Sequence, residues 1–74
     1  MKKAQKRTVD IYKMFFPRGS RVELLFMDDP QAPPVGTKGT VIGVDNMGTI
    51  HVNWDNGSIL GVAFDTDSCR RIEE

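Results

Sequence analysis

Between Ser20 and Trp54 the apolar positions fall largely on every second residue. Val22, Leu24 and Phe26 alternate with Arg21 and Glu23, and Ile50, Val52 and Trp54 alternate with His51 and Asn53. A period of two puts one set of side chains on a buried sheet face and the other toward water, so both stretches read as strands. Gly39 to Val44 reads as a third strand. Its inward set is blurred by Gly39 and Gly43, which implies a bulge or a close backbone approach. Further strands are expected from about Ser58 to Val62 and from Cys69 to Ile72. Upstream the period changes. Val9, Tyr12 and Phe16, with Ile11 and Phe15 beside them, suit a short helix from Thr8 to Phe16. Thr8 would be its N-cap and Asp10 would lie in its first turn. Pro17 then ends it, because a proline pushes the preceding residue out of helical geometry.

The connections carry turn chemistry. MDDPQAPPVGTK, with Pro30, Pro33, Pro34 and Gly36, forbids regular helix and reads as a long, stiff surface loop. DNMG, ending at Gly48, makes one turn, and Asn56-Gly57 suits the two positive-φ positions of a tight hairpin. FDTDS is expected to form a single helical turn. The structural turn positions are thus Gly36, Gly39, Gly48, Asn56 and Gly57. Five short strands joined in this way are the layout of a mainly-β chain, a small five-stranded SH3-like barrel preceded by a short N-terminal helix. Residues 1–16 form a basic segment with the helix and residues 17–74 the barrel.

Composition narrows the functional classes. A chain of 74 residues forms one domain at most and buries only roughly 60% of its unfolded surface, which leaves no depth for a substrate cleft. Its formal charge is zero, yet Lys2, Lys3, Lys6, Arg7, Lys13, Arg18 and Arg21 face only Asp10 in the N-terminal part. Such an arm attracts phosphates or an acidic protein surface, or simply solubilises a terminus. Cys69 is the single cysteine, so no internal disulfide is available and a reducing, cytoplasmic setting is expected. MKKAQKR resembles the charged part of a signal peptide. The apolar stretch after it, Ile11 to Phe16, is interrupted by Lys13 and stopped by Pro17, so neither export nor membrane insertion is expected.

Catalytic equipment is sparse. One His and one Cys, 18 positions apart, are not a metal set. His51 on the polar face of a strand reads as a solvated residue before it reads as a general base. Asp28 and Asp29 precede a proline and suit turn formation better than acid–base work. GTKGT lacks the strand–loop–helix setting of a phosphate-binding loop. Trp54 belongs to the inward set by parity. The expectation is therefore no enzyme and no cofactor.

The run FPRGSRVELLFMDDPQAPPVGTKGTVIGVDNMGTIHVNWDNGS, with its MDDPQAPP, GTKGTV and HVNWDNGS segments, resembles an uncharacterised family of short bacterial proteins. That family is catalogued as a domain of unknown function and found often in phage and mobile-element neighbourhoods. The resemblance covers about Phe16 to Gly61 and implies an SH3-like barrel with a short preceding helix and no established activity. VNWDNGS is similar to a turn of the Mib/Herc2 domain, and GTKGTV is similar to the core of KOW motifs; both are glycine-dominated patterns that report barrel geometry. Apart from these resemblances, the stiff proline-rich loop would lose little entropy on docking, so the partner expected is another protein, docking on Asp28, Asp29, Pro30, Pro33 and Pro34. The alternative is weak, salt-dependent nucleic-acid binding through Lys2, Lys3, Lys6 and Arg7.

Overall fold

A computed structural model describes residues 4–73. The elements follow the order helix α1 (Lys6–Phe15), then strands β1 (Arg21–Phe26), β2 (Lys38–Val44), β3 (Ile50–Trp54), β4 (Ile59–Val62) and β5 (Ser68–Ile72). All five strands join one antiparallel sheet in the order β4-β3-β2-β1-β5. The first four form a meander. The fifth crosses to pair with β1.

That crossing shows how the sheet is shaped. Opposite edges of a flat five-stranded sheet would stand about 19 Å apart at the usual strand spacing. Only Ala63 to Asp67 separate β4 from β5, and the Asp67 N–H donates to the Ala63 carbonyl at 3.0 Å. A segment folded back on itself so tightly cannot span a flat sheet, so the sheet is curled until its edges approach. The edges do not pair with each other among the described residues.

The concave face holds the core. Val22, Leu24, Val41, Val52 and Trp54 are essentially inaccessible, with Ile50 and Val62 beside them. β3 follows its alternation throughout, with Ile50, Val52 and Trp54 inside and His51 and Asn53 outside. Trp54 Nε1 donates to the Leu60 carbonyl at 3.1 Å, which satisfies the indole N–H within the core.

Three local expectations are corrected. The helix begins at Lys6 with Gln5 as N-cap, not at Thr8, and no acidic residue occupies its first turn. The cause is distant in sequence: Ala4 is buried, and its N–H donates to the Met47 carbonyl at 3.0 Å. This anchors the chain ahead of Thr8. Phe26 does not continue the inward set of β1. The pairing with β5 shifts register between Leu24 and Phe26, so Phe26 is half exposed and Met27 is buried instead. Asn56 does not adopt positive φ, whereas Gly57 and Gly48 do. Both hairpins are three-residue loops with a glycine in the left-handed position, closed by Trp54 N–H to Ser58 and Asp45 N–H to Thr49.

The expected irregularity in β2 has two parts. Ile42 is the extra residue where the register with β3 shifts between Val41 and Gly43. Gly39 is the close approach, since an added Cβ would lie 2.6 Å from Val52 and 2.8 Å from Trp54. Gly39→Ala should therefore lower stability by about 1–3 kcal/mol through overpacking. Gly43→Ala, with nothing within 4 Å of its Cβ, should shift it by less than about 0.5 kcal/mol. Urea unfolding followed by Trp54 fluorescence measures both; equal effects would contradict the packing at Gly39.

Candidate functional site

The segment between β1 and β2 lacks regular structure but is held at many points. At its start, Asp67 Oδ1 accepts from the Asp28 N–H at 2.8 Å, while Asp67 Oδ2 accepts from the Ala63 N–H at 2.9 Å. In the middle, Asp29 Oδ1 accepts from the Gln31 N–H at 2.8 Å, and the Ala32 N–H donates to the Asp29 carbonyl at 3.0 Å. This is the local turn chemistry expected of Asp before proline. At its end, the Thr37 hydroxyl donates to the Pro34 carbonyl at 2.6 Å, and the Gly36 N–H donates to the Leu24 carbonyl at 2.8 Å.

These bonds decide which side chains face out. Asp28, Asp29, Pro30 and Pro34 are exposed, whereas Pro33 is buried and Ala32 packs against the core. Pro33, being buried, offers no surface to a partner. Leu25, Phe26 and Val35, immediately beside the loop, are exposed apolar residues.

The basic segment is only partly in view. Lys6 and Arg7 are exposed on the first turn of α1, with Lys6 Nζ 3.5 Å from Asp10. Lys2 and Lys3 lie outside the described residues. Tyr12 packs against the core of the sheet, edge-on to the C-cap residue Phe16 with ring centroids 5.9 Å apart, and Val9 is buried.

Two polar clusters on the outer sheet face were not foreseen from the sequence. His51 Nε2 lies 2.8 Å from Asp45 Oδ2, while Asp45 Oδ1 accepts from the Met47 and Thr49 N–H groups. Burial raises the Asp45 pKa, but the His51 hydrogen bond and the two backbone N–H bonds outweigh it and hold the carboxyl below its usual 3.8. Strand parity and the tight hairpin between the two residues were the available signal. Arg21 forms a fork on Asp55, Nη1 to Oδ1 at 2.9 Å and Nη2 to Oδ2 at 2.6 Å, and also donates to Thr40 Oγ1. The Arg21 hydrogen bonds to Asp55 hold that carboxyl below its usual pKa.

Among the described residues no group of three or more His, Cys, Asp or Glu could hold a metal ion, and no helix is long and apolar enough to cross a membrane. The cleft between helix and barrel, lined by Tyr12, Phe16, Phe64 and Cys69 among others, encloses about 90 Å³. That cleft is smaller than the roughly 300–1,000 Å³ typical of ligand pockets, whereas open surface depressions of about 510 Å³ beside Lys38, Arg70 and Arg71 and of about 390 Å³ beside Ala4, Val9 and Lys13 reach that size.

Residues 5–72 match the family model described as a domain of unknown function, DUF4314. The chain belongs to the DUF4314 family. The matched residues of this DUF4314 chain run from Gln5, the N-cap of α1, to Ile72, the last residue of β5. Helix and sheet are therefore one family unit, with Lys6 and Arg7 inside it and Lys2 and Lys3 ahead of it. No curated protein matches the DUF4314 chain.

Two outcomes follow for its titrating groups. Burial pushes the Cys69 thiol up to about 11, so its thiolate at pH 8 is about 100-fold scarcer than that of a free cysteine. Alkylation by iodoacetamide should be slower than in the urea-unfolded chain by a comparable factor; equal rates would place the thiol in water. Asp45, with its folded pKa below 3.8, stabilises the fold above that value, and the contribution disappears as pH falls through the folded pKa. Asp45→Asn should therefore flatten the fall in urea midpoint between about pH 5 and pH 2, and an unchanged slope would refute the His51 and backbone contacts as its cause.

Proposed function

We propose that this DUF4314 chain is a non-enzymatic, cytoplasmic protein-interaction or accessory module of the kind carried by phages and mobile elements, with the Asp28–Pro34 loop as its docking surface. The observation that carries the reading is the fixing of that loop before any partner arrives. Hydrogen bonds hold its start, middle and end, and Pro33 is buried. Ordering an interface costs about 0.5–1.5 kcal/mol for each flexible side chain immobilised. Here two carboxylates and two exposed prolines are presented on a backbone already held in place, so little further ordering opposes docking.

A binding role also fits the surface chemistry better than turnover does. The Asp45–His51 pair sits half exposed on an open sheet face, with glycines 43 and 61 opposite His51 on the neighbouring strands. A general base needs a substrate held within hydrogen-bond reach and shielded from bulk water. That open face has no walls to do either.

The test uses the full chain immobilised in lysate of its own host, with and without nuclease. A defined protein should be retained after nuclease treatment. The combined change Asp28→Lys, Pro30→Ala, Pro34→Ala should reduce its capture at least about tenfold and leave the urea midpoint nearly unchanged. Undiminished capture by that variant would remove the loop from consideration. Retention lost with nuclease would move nucleic-acid binding to first place, to be traced by replacing Lys2, Lys3, Lys6 and Arg7 with Gln.

A further inference from the structure

Asn56 and Gly57 stand at the tip of the β3–β4 hairpin, both exposed. The hairpin makes use of each. Gly57 adopts φ of +94°, a conformation that favours glycine, and Asn56 Oδ1 accepts from the Ser58 N–H at 3.1 Å. The same two residues are the place where the chain is most open to reaction with itself. A glycine after an asparagine has no Cβ to keep its backbone nitrogen from the side-chain carboxamide. The other two asparagines are less favourable. Asn46 and Asn53 precede Met47 and Trp54, whose side chains crowd that nitrogen. Asn46 Oδ1 also accepts from Lys13 Nζ at 3.2 Å, and Asn53 lies within β3.

We propose that Asn56 is a self-modification site, converted to aspartate and isoaspartate at a rate set by opening of the β3–β4 hairpin. The Gly57 nitrogen gives its proton to solvent base and attacks Asn56 Cγ. The bond from that nitrogen to Cγ forms, the Cγ–Nδ2 bond breaks, and ammonia leaves with a proton from water, which closes a cyclic succinimide. Water then opens the ring. Cleavage of the new bond gives aspartate. Cleavage of the original bond between the Asn56 carbonyl carbon and the Gly57 nitrogen gives isoaspartate, with the main chain rerouted through Cβ and Cγ. In sum, carboxamide and water become carboxylic acid and ammonia, so solvent is the only co-reactant.

Two hydrogen bonds act on the reacting atoms while the hairpin is closed. The Gly57 N–H donates to the Trp54 carbonyl at 3.0 Å, which holds the proton that must be lost. The Ser58 N–H draws on Asn56 Oδ1 and polarises the carbon under attack. The first effect wins. Water gives an exposed carboxamide comparable hydrogen bonds, so the second confers no advantage over an open chain, whereas the Gly57 proton is released only when its bond to Trp54 breaks. Hairpin tips open locally at small free-energy cost, so the reaction is slowed and not abolished. Isoaspartate then lengthens the main chain between Trp54 and Ser58, whose 2.8 Å N–H to carbonyl bond closes the hairpin. It also places a new carboxylate next in sequence to Asp55, the residue gripped by Arg21.

The experiment incubates the full chain for days at mildly alkaline pH, with and without denaturing urea. Peptides released at acid pH are read by mass spectrometry, with electron-transfer fragmentation to tell isoaspartate from aspartate. The expected result is modification at Asn56 in both conditions, at least about fivefold slower in the native chain. The native rate should rise in step with hydrogen exchange of the Gly57 amide as sub-denaturing urea is added. Equal or faster modification of the native chain overturns the proposal, as does an unfolded chain that stays unmodified at Asn56. A native chain that stays unmodified while its Gly57 amide exchanges overturns it too. The isoaspartate form, separated by chromatography, should unfold at lower urea than Asn56→Asp, which adds the charge without lengthening the chain. An equal midpoint would overturn the stated consequence for the hairpin.

Discussion

The carboxylate of Asp67 ties the β4–β5 turn to the start of the long loop, 39 residues away in sequence. Its two oxygens accept backbone N–H groups from Ala63, at the end of β4, and from Asp28, at the start of the long loop. Its own N–H closes the turn that carries the chain from one sheet edge to the other. The curl of the sheet, the arrival of β5 beside β1 and the position of the loop all depend on that turn remaining tight. Hydrogen bonds to a charged acceptor contribute about 1.5–3 kcal/mol each, and a small domain has few other ways of fixing such a crossing. The candidate docking loop is thus held by the same residue that curls the sheet.

Curling places demands on the concave side. A sheet drawn inward has little room near its centre, and Gly39 supplies it by letting β2 approach Val52 and Trp54 without a side chain. The bulge at Ile42 lets β2 bend against β3 while Val41 and Val44 still face inward. On the convex side the Arg21–Asp55 fork, with Thr40 between, and the Arg70–Glu23 pair at 2.7 Å link neighbouring strands through exposed groups. Such exposed pairs contribute little stability. They set the charge pattern of the surface more than they hold it together.

Much of this fold was legible from period and turn residues. β3 follows its alternation residue by residue, and the two hairpin glycines fall where the chain must adopt positive φ. These features are local, so a short window of sequence contains their cause. What was not legible has distant causes. The helix starts at Lys6 because Ala4 is fixed to Met47; Phe26 turns outward because of its register with β5; Pro33 is buried because both flanks of the loop are tied elsewhere. Of the candidate site, Asp28, Asp29, Pro30 and Pro34 face water as a surface loop requires. Of the apolar residues beside them, Phe26 is expected inside from its alternation and is exposed because of the register shift against β5.

The anchoring of Ala4 also bears on how the molecule comes apart. Ala4 lies so close to Gly48 that a side chain on the glycine would meet it at 2.6 Å, and a backbone hydrogen bond joins it to the neighbouring Met47. A helix of ten residues is marginal by itself in water. Its N-terminal end is secured only while the β2–β3 hairpin exists, some forty residues further along the chain. Helix and hairpin therefore open as one cooperative unit, and protection of the amides in α1 against hydrogen exchange follows the stability of a turn the helix does not contain.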